Sequence, residues 1–247
     1  MRKHHKPGLG LVLVKNEFHI PVHFRTDAGA GGEKIFSNVN FASYISFRKG
    51  LPILVVAPVS LLDNWEREMH NFLQPRIADD VLRLYGRAMM EARMRPADIP
   101  APLRTNGIRN LLRFGWRQNR RIVLTTYETL RDQEFSLARQ DWAVVICDEA
   151  QKIKNPAARV TQATKALKAR FRIACTGTPV ENSLNDLWCL YDWIQPGLLG
   201  SLSEFGKNFR RPIEAEESGS EAALAELRLL IEPQLLRRIK GDVARDL

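Results

Sequence analysis

Cysteine is scarce: the 247 residues hold three, Cys147, Cys175 and Cys189. An odd count without paired spacing excludes a disulfide framework, so all three read as small reduced core residues. Histidine is nearly as sparse. His4, His5, His19, His23 and His70 stand at no zinc-ligand spacing with the cysteines, and no structural metal is expected. Long hydrophobic runs are missing too. No apolar stretch reaches bilayer-spanning length, and the basic start Met1-Arg2-Lys3-His4-His5-Lys6 leads into no signal-peptide cleavage pattern, which argues against membrane and secreted classes.

Acidic residues are outnumbered. With 28 Asp and Glu against 37 Lys and Arg, the formal charge is +9, which attracts polyanions by release of their condensed counterions. Arg83, Arg87, Arg93, Arg95, Arg104, Arg109, Arg113, Arg117, Arg120 and Arg121 concentrate that charge mid-chain. Two readings stand level there: a nucleic-acid face, or a merely solvated arginine-rich surface. Tyr85, Phe114 and Trp116, interleaved with the arginines, are expected as core anchors rather than base-stacking platforms.

The length suits one large α/β domain with a sizeable core. Hydrophobic patterning predicts strands over 9–14, 53–57, 81–85, 122–125, 143–147 and 172–175. Helices are predicted over 36–48, 60–72, 106–117, 157–169, 184–194 and 221–231. Such alternation implies right-handed crossovers and a mostly parallel sheet flanked by helices.

Asp148-Glu149-Ala150-Gln151 stands directly after the apolar run Trp142-Ala143-Val144-Val145-Ile146-Cys147, which hangs two adjacent carboxylates on the end of a buried strand. Mg²⁺ takes one or two carboxylates plus phosphate oxygens and water, so Asp148 can hold it directly or through water. Glu149 can orient or deprotonate an attacking water. Alone, such a pair more often just begins a surface turn. Its company decides the matter. Thr176-Gly177-Thr178-Pro179 follows a second apolar strand and leads into the loop and helix start at Glu181-Asn182-Ser183-Leu184. Leu54-Val55-Val56-Ala57-Pro58-Val59-Ser60 and Ile122-Val123-Leu124-Thr125-Thr126-Tyr127 repeat the strand-then-hydroxyl pattern. Loops at the carboxyl ends of parallel strands face the crevice where open α/β sheets bind ligands, so four of them argue for one shared polar edge.

From about 51 to 247 the chain resembles the Swi/Snf-type ATPases of helicase superfamily 2, which are double-stranded DNA translocases and remodellers. Val55-Val56-Ala57-Pro58-Val59-Ser60-Leu61-Leu62-Asp63-Asn64-Trp65 is similar to that family's motif Ia, and Val123-Leu124-Thr125-Thr126-Tyr127-Glu128-Thr129-Leu130 to motif Ib. Asp148 to Asn155 resembles motif II, and Thr176 to Asn182 resembles motif III. The resemblance implies the RecA-like first lobe of a helicase-like motor that binds ATP, Mg²⁺ and double-stranded DNA. It places Asp148, Glu149 and Gln151 in catalysis, with Asp148 at the metal. Gly32, Lys34, Thr176, Gly177 and Thr178 fall on the nucleotide side. Pro58, Ser60, Thr125, Thr126, Tyr127, Arg237 and Arg238 fall on the DNA side.

Gln151 stands where many superfamily members carry histidine, yet it can still hydrogen-bond toward motif III. Thr176 to Pro179 couple nucleotide state to DNA grip in the family, while turn geometry alone accounts equally for Gly177 and Pro179. Trp188 and Trp193 read as helix packing. Ser60, with Asp63 three residues on, has the form of a helix cap whose exposed amides can also grip a phosphate.

The family's first motif, a G-x-x-x-x-G-K-[ST] phosphate loop, has no match. In the nearest stretch, Asp27-Ala28-Gly29-Ala30-Gly31-Gly32-Glu33-Lys34-Ile35, Glu33 replaces the glycine before the lysine and Ile35 replaces the metal-touching hydroxyl. A carboxylate repels a triphosphate, and isoleucine cannot coordinate Mg²⁺. This makes 1–50 an N-terminal segment with a degenerate cradle, or a plain flexible turn, ahead of the remaining lobe over 51–247. Ile231 to Val243 resembles the brace leading out of a first lobe. The chain is therefore expected to be half of a motor, inactive alone and completed by a second RecA-like lobe in the same longer protein or a separate chain. The alternative is a non-catalytic remnant that binds DNA or a protein. A cytoplasmic location is expected, nucleoid-associated in a prokaryote and nuclear in a eukaryote.

Overall fold

Short runs of Val, Ile and Leu become strands and the amphipathic stretches between them become helices. A computed structural model describes residues 9–14, 21–23, 35–37, 50–72, 80–177, 183–215 and 219–237. They divide into two compact units. One comprises Glu17–Ile146 and Ala166–Ala169, the other Met1–Asn16, Cys147–Lys165 and Arg170–Leu247.

The first unit holds the antiparallel pair β2 (Pro21–His23) and β3 (Ile35–Ser37), then β4 (Ile53–Val56), α1 (Val59–Phe72), β5 (Val81–Leu84), α2 (Gly86–Ala92) and α3 (Ala101–Thr105). β6 (Ile122–Thr125), α4 (Tyr127–Asp132), α5 (Glu134–Ala138) and most of β7 (Asp141–Asp148) follow. The strand order is β5-β6-β4-β7, with β5 and β4 each parallel to β6. Leu54, Val56, Val123 and Leu124 have no exposure, and removing each from water is worth about 1.5–3 kcal/mol. Strands buried on both faces are the mark of a parallel sheet covered by helices.

The second unit contains β1 (Leu9–Val14), the end of β7, α6 (Arg159–Ala166, through Lys165), β8 (Lys168–Thr176, from Arg170) and α7 (Leu184–Ile194). α8 (Leu202–Phe205), a π-helical turn over Gly206–Arg210, α9 (Arg211–Glu214), α10 (Ser220–Ile231) and β9 (Leu235–Arg237) complete it. Its strand order is β7-β8-β1-β9, with β1 parallel to both β8 and β9. α7 is fastened on several sides. Lys165 Nζ donates to Asp192 Oδ2 over 2.5 Å and lies 5.3 Å from the Trp188 ring centre, while Trp193 Nε1 donates to the Thr164 carbonyl.

The α/β class and the parallel sheet agree with the sequence. Several details do not. The helix predicted over 106–117 is absent: Gly107 and Gly115 take φ of +82° and +71°, and Leu112 forms an antiparallel bridge with Arg93. Phe36, expected to open a helix, lies in β3 opposite Val22; the rest of that predicted helix lies outside the described residues. The helix over 157–169 stops at Ala166, because Leu167 and Ala169 are buried beside exposed Lys168 and Arg170, the alternation of a strand. Phe114 is no core anchor, being 103% exposed. Tyr85 and Trp116 are half-buried, with Trp116 packed 6.5 Å from the wholly buried Trp142. All three cysteines are buried and outside any disulfide. Among the described residues no helix is long and apolar enough to cross a membrane.

Candidate nucleotide and DNA site

β7 ends on Asp148, buried to 2% exposure, whose Oδ1 accepts the Glu149 amide at 2.9 Å. Glu149 then turns the chain with φ +52° and ψ +53°, the left-handed region that a non-glycine residue occupies at a cost of about 1–3 kcal/mol. This turn brings Gln151 back over Glu149. Gln151 Nε2 donates to Glu149 Oε2 at 2.6 Å, and Thr176 Oγ1, at the end of β8, donates to Gln151 Oε1 at 3.0 Å. The hydrogen bond expected from Gln151 toward motif III is thus present. One amide side chain uses its donor on the first carboxylate loop and its acceptor on the threonine loop.

The turn is held from below. Ala150 and Ile153 are fully buried, and the Cys189 thiol of α7 donates to the Ile153 carbonyl at 3.1 Å. Burial, acting ahead of the nearby charges, pushes that thiol up to about 11, so it stays protonated and inert at neutral pH. Nothing in the sequence signalled this role, since a lone buried cysteine looks the same whether or not it supports a loop.

The donor set suits magnesium. One buried carboxylate with a second beside it leaves the remaining positions to phosphate oxygens and water, the arrangement this cation prefers over an all-protein cage. Among the described residues no group of three or more His, Cys, Asp or Glu stands together. The phosphate side is different. Gly32, Lys34 and Thr178 lie outside the described residues. Ile35 lies in β3 paired with His23, so its backbone is extended rather than entering a helix whose amides would face a phosphate.

The residues assigned to DNA separate by exposure. Thr125 has no exposed surface and donates to the Leu84 carbonyl at 2.8 Å. Thr126 caps α4 by accepting the Thr129 amide at 3.1 Å, and Tyr127 is 4% exposed. All three side chains are buried. Pro58 is half-buried, and Val59 and Ser60 are exposed at the start of α1. Ser60 sits inside the first turn rather than capping it, since the Pro58 carbonyl already accepts the Leu61 amide at 2.9 Å. The β4 and β6 loops are neighbours, joined by the Ala57 amide donating to the Thr125 carbonyl at 3.0 Å. Arg237 lies in β9, and Arg238 lies outside the described residues. Trp188 and Trp193 are buried with their indole nitrogens donating to Gly200 and Thr164 carbonyls, as packing requires.

The sequence profile of the SNF2-related domain matches residues 5–247. The chain belongs to the SNF2-related domain family. The domain is 60% identical over 196 residues to the Zorya protein ZorD of Escherichia coli O139:H28, covering 79% of this chain and 18% of ZorD. It is 32% identical over 244 residues to the putative ATP-dependent helicase/translocase YwqA of Bacillus subtilis, covering 98% of this chain and 24% of YwqA. Among solved structures, the Sulfolobus solfataricus SWI2/SNF2 ATPase core in complex with dsDNA superposes with a TM-score of 0.69 at 31% identity, covering 96% of this chain and 42% of that one. This SNF2-related domain therefore spans about a fifth to a quarter of those curated relatives.

Proposed function

We propose that this SNF2-related domain is the nucleotide-side lobe of an ATP-dependent double-stranded DNA translocase, hydrolysing ATP when a second lobe closes on it. The observation that carries this reading is the hydrogen-bonded series Glu149, Gln151, Thr176 beside the buried carboxylate of Asp148. Magnesium-bound triphosphate supplies the phosphoanhydride and neutralises charge during in-line transfer to water. Asp148 would hold the cation. Glu149, aimed by its left-handed backbone and by Gln151, orients the attacking water and takes its proton. Thr176 reports through Gln151 on the state of that carboxylate, which couples the β8 loop to hydrolysis.

DNA enters the proposal from the helix start after Pro58, where the backbone N–H groups of exposed Val59 and Ser60 and the Ser60 hydroxyl suit a phosphate. The double-stranded DNA held by the Sulfolobus relative supports the same substrate. Residues 1–50 then carry the nucleotide cradle, with Gly32 and Lys34 nearest the phosphates, and 51–247 form the remainder of the lobe. Arginines of the second lobe complete the ATP site, and the motor is cytoplasmic, nucleoid-associated in a prokaryote and nuclear in a eukaryote.

The decisive test is Glu149→Gln in the full-length protein. DNA-stimulated ATP hydrolysis should fall about 10²–10⁴-fold while binding of labelled ATP persists; unchanged turnover removes Glu149 from the mechanism. A second reading, a lobe that binds DNA or protein without hydrolysis, is favoured by the extended backbone at Ile35 and by Glu33. Calorimetry on the full-length wild type separates the two. Heat of Mg²⁺-ATP binding supports the motor, and DNA binding without it supports the second reading.

A further inference from the structure

Two groups stand out among the arginines from β5 to Arg139. Arg83 pairs with Glu66, Arg87 with Glu91, Arg95 with Asp98 and Arg121 with Asp80. Arg113, Arg117 and, after α5, Arg139 form no salt bridge with a carboxylate among the described residues, although the charge of Asp80 reaches Arg117. Arg113 Nε donates to the Arg93 carbonyl at 3.2 Å, Arg117 donates to the Arg120 carbonyl, and the Arg139 guanidinium lies 5.4 Å from the Phe135 ring centre. All three line one open cleft of about 630 Å³.

No Asp or Glu lines that cleft. Its apolar wall is made by Met94, Leu103, Leu111 and Phe135, and its rim carries the fully exposed Phe114. The rim is built rather than frayed. Gly115, Gln118 and Asn119 all take positive φ, successive turns close from Arg113 to Trp116, Gly115 to Gln118 and Arg117 to Arg120, and Trp116 is anchored on Trp142. Two non-glycine residues in the left-handed region cost free energy that an ordinary surface loop need not spend. Burial strips water from Arg117 and lowers its guanidinium from the ordinary arginine value, an effect that the charge of Asp80 does not offset.

We propose that this cleft docks an acidic peptide segment of a partner protein, with a leucine or aromatic side chain on the apolar wall and carboxylates on Arg113, Arg117 and Arg139. Arginine forks bind carboxylates bidentately, and aromatic and arginine residues dominate binding hot spots. A second copy of this chain is a poor occupant, because at +9 it brings the same charge. Met94, Leu103 and Leu111 make the wall partly aliphatic, a surface that receives a leucine side chain better than it stacks bases, and Phe135 and Phe114 suit an aromatic side chain of the same peptide. The inference is independent of the proposed hydrolysis, since none of these residues belongs to the carboxylate site.

The experiment pans full-length protein against a display library of short random peptides, with an Arg113→Glu, Arg139→Glu double variant panned in parallel. Enriched peptides, carrying a fluorescein label, are titrated by anisotropy against wild type, Phe114→Ser and Arg139→Glu. Both single variants alter exposed side chains, and their thermal melts should match wild type. Expected are peptides combining Asp or Glu with Leu, Phe or Tyr, whose affinity falls about tenfold or more in each variant. No enrichment over the charge-reversed protein overturns the proposal. So does displacement of the peptide by a short DNA duplex whose own binding falls in the same variants, which makes the cleft a nucleic-acid site.

Discussion

Thr176 donates its hydroxyl to the Gln151 side-chain carbonyl at 3.0 Å, so the loop after β8 is tied to the carboxylate turn after β7 by one side-chain contact. The Gln151 amide nitrogen in turn donates to Glu149 Oε2. Rotation of either loop therefore changes where the Glu149 carboxylate points.

Gln151→Ala should cut DNA-stimulated ATPase of the full-length protein about 10- to 100-fold, the usual cost of removing an outer partner beside a metal site. Nucleotide affinity should change little. Thr176→Val, which keeps the shape and loses the donor, should reproduce much of the loss. Steady-state kinetics of both variants check it, and wild-type rates in Thr176→Val would reduce the contact to packing.

Thr126→Ala removes the cap of α4 and should destabilise the protein by about 1 kcal/mol in urea denaturation. Thr126→Ser should recover most of it. If instead both variants melt like wild type but lose DNA binding, Thr126 has a ligand role that its 4% exposure argues against.

Glu66 offers a pH test. Burial acts to raise its carboxyl, but Arg83, with two hydrogen bonds of 2.5 Å and its charge, and Tyr85, with one of 3.0 Å, outweigh burial and hold it below its ordinary 4.5. Burial first, and Glu66 second, push the Tyr85 hydroxyl up to about 12. A folded-state value below the unfolded one gives stability that is complete above the unfolded pKa and lost as pH falls through the folded one. The stability gap between wild type and Glu66→Gln should be flat from about pH 7 to 5 and shrink below that. Urea midpoints across that range measure it. The gap stays modest, because the Arg83 side chain is 61% exposed.

Where one period dominated, the sequence was legible to the residue. β1 and α7 have the predicted bounds, Leu9–Val14 and Leu184–Ile194. Three of the four strand-end loops stood out because an apolar run that stops at Asp or Thr is a sharp signal, and the fourth because its run meets Pro58 and Ser60. The Glu149 left-handed turn was not found, because nothing in Asp148-Glu149-Ala150 marks positive φ without a glycine. The stretch 106–117 misled for a physical reason: Ile108, Leu111 and Leu112 have helical spacing, yet Leu112 forms a bridge to Arg93 and Leu111 lines a cleft. Charge counting likewise showed a basic middle and could not show that four of its arginines are already paired while two, Arg113 and Arg117, join Arg139 round one cleft.

β1 lies between two strands encoded far downstream: Leu9 faces Phe171 on one side and Val12 faces Leu235 on the other. During synthesis this apolar strand leaves the ribosome early and waits for both neighbours, roughly ten seconds to a minute at ordinary elongation rates. Over that interval its two edges can pair with any other nascent chain. The order of translation thus sets the period of greatest aggregation risk, and slowing elongation between β1 and β8 should lower the soluble yield without changing a single native contact.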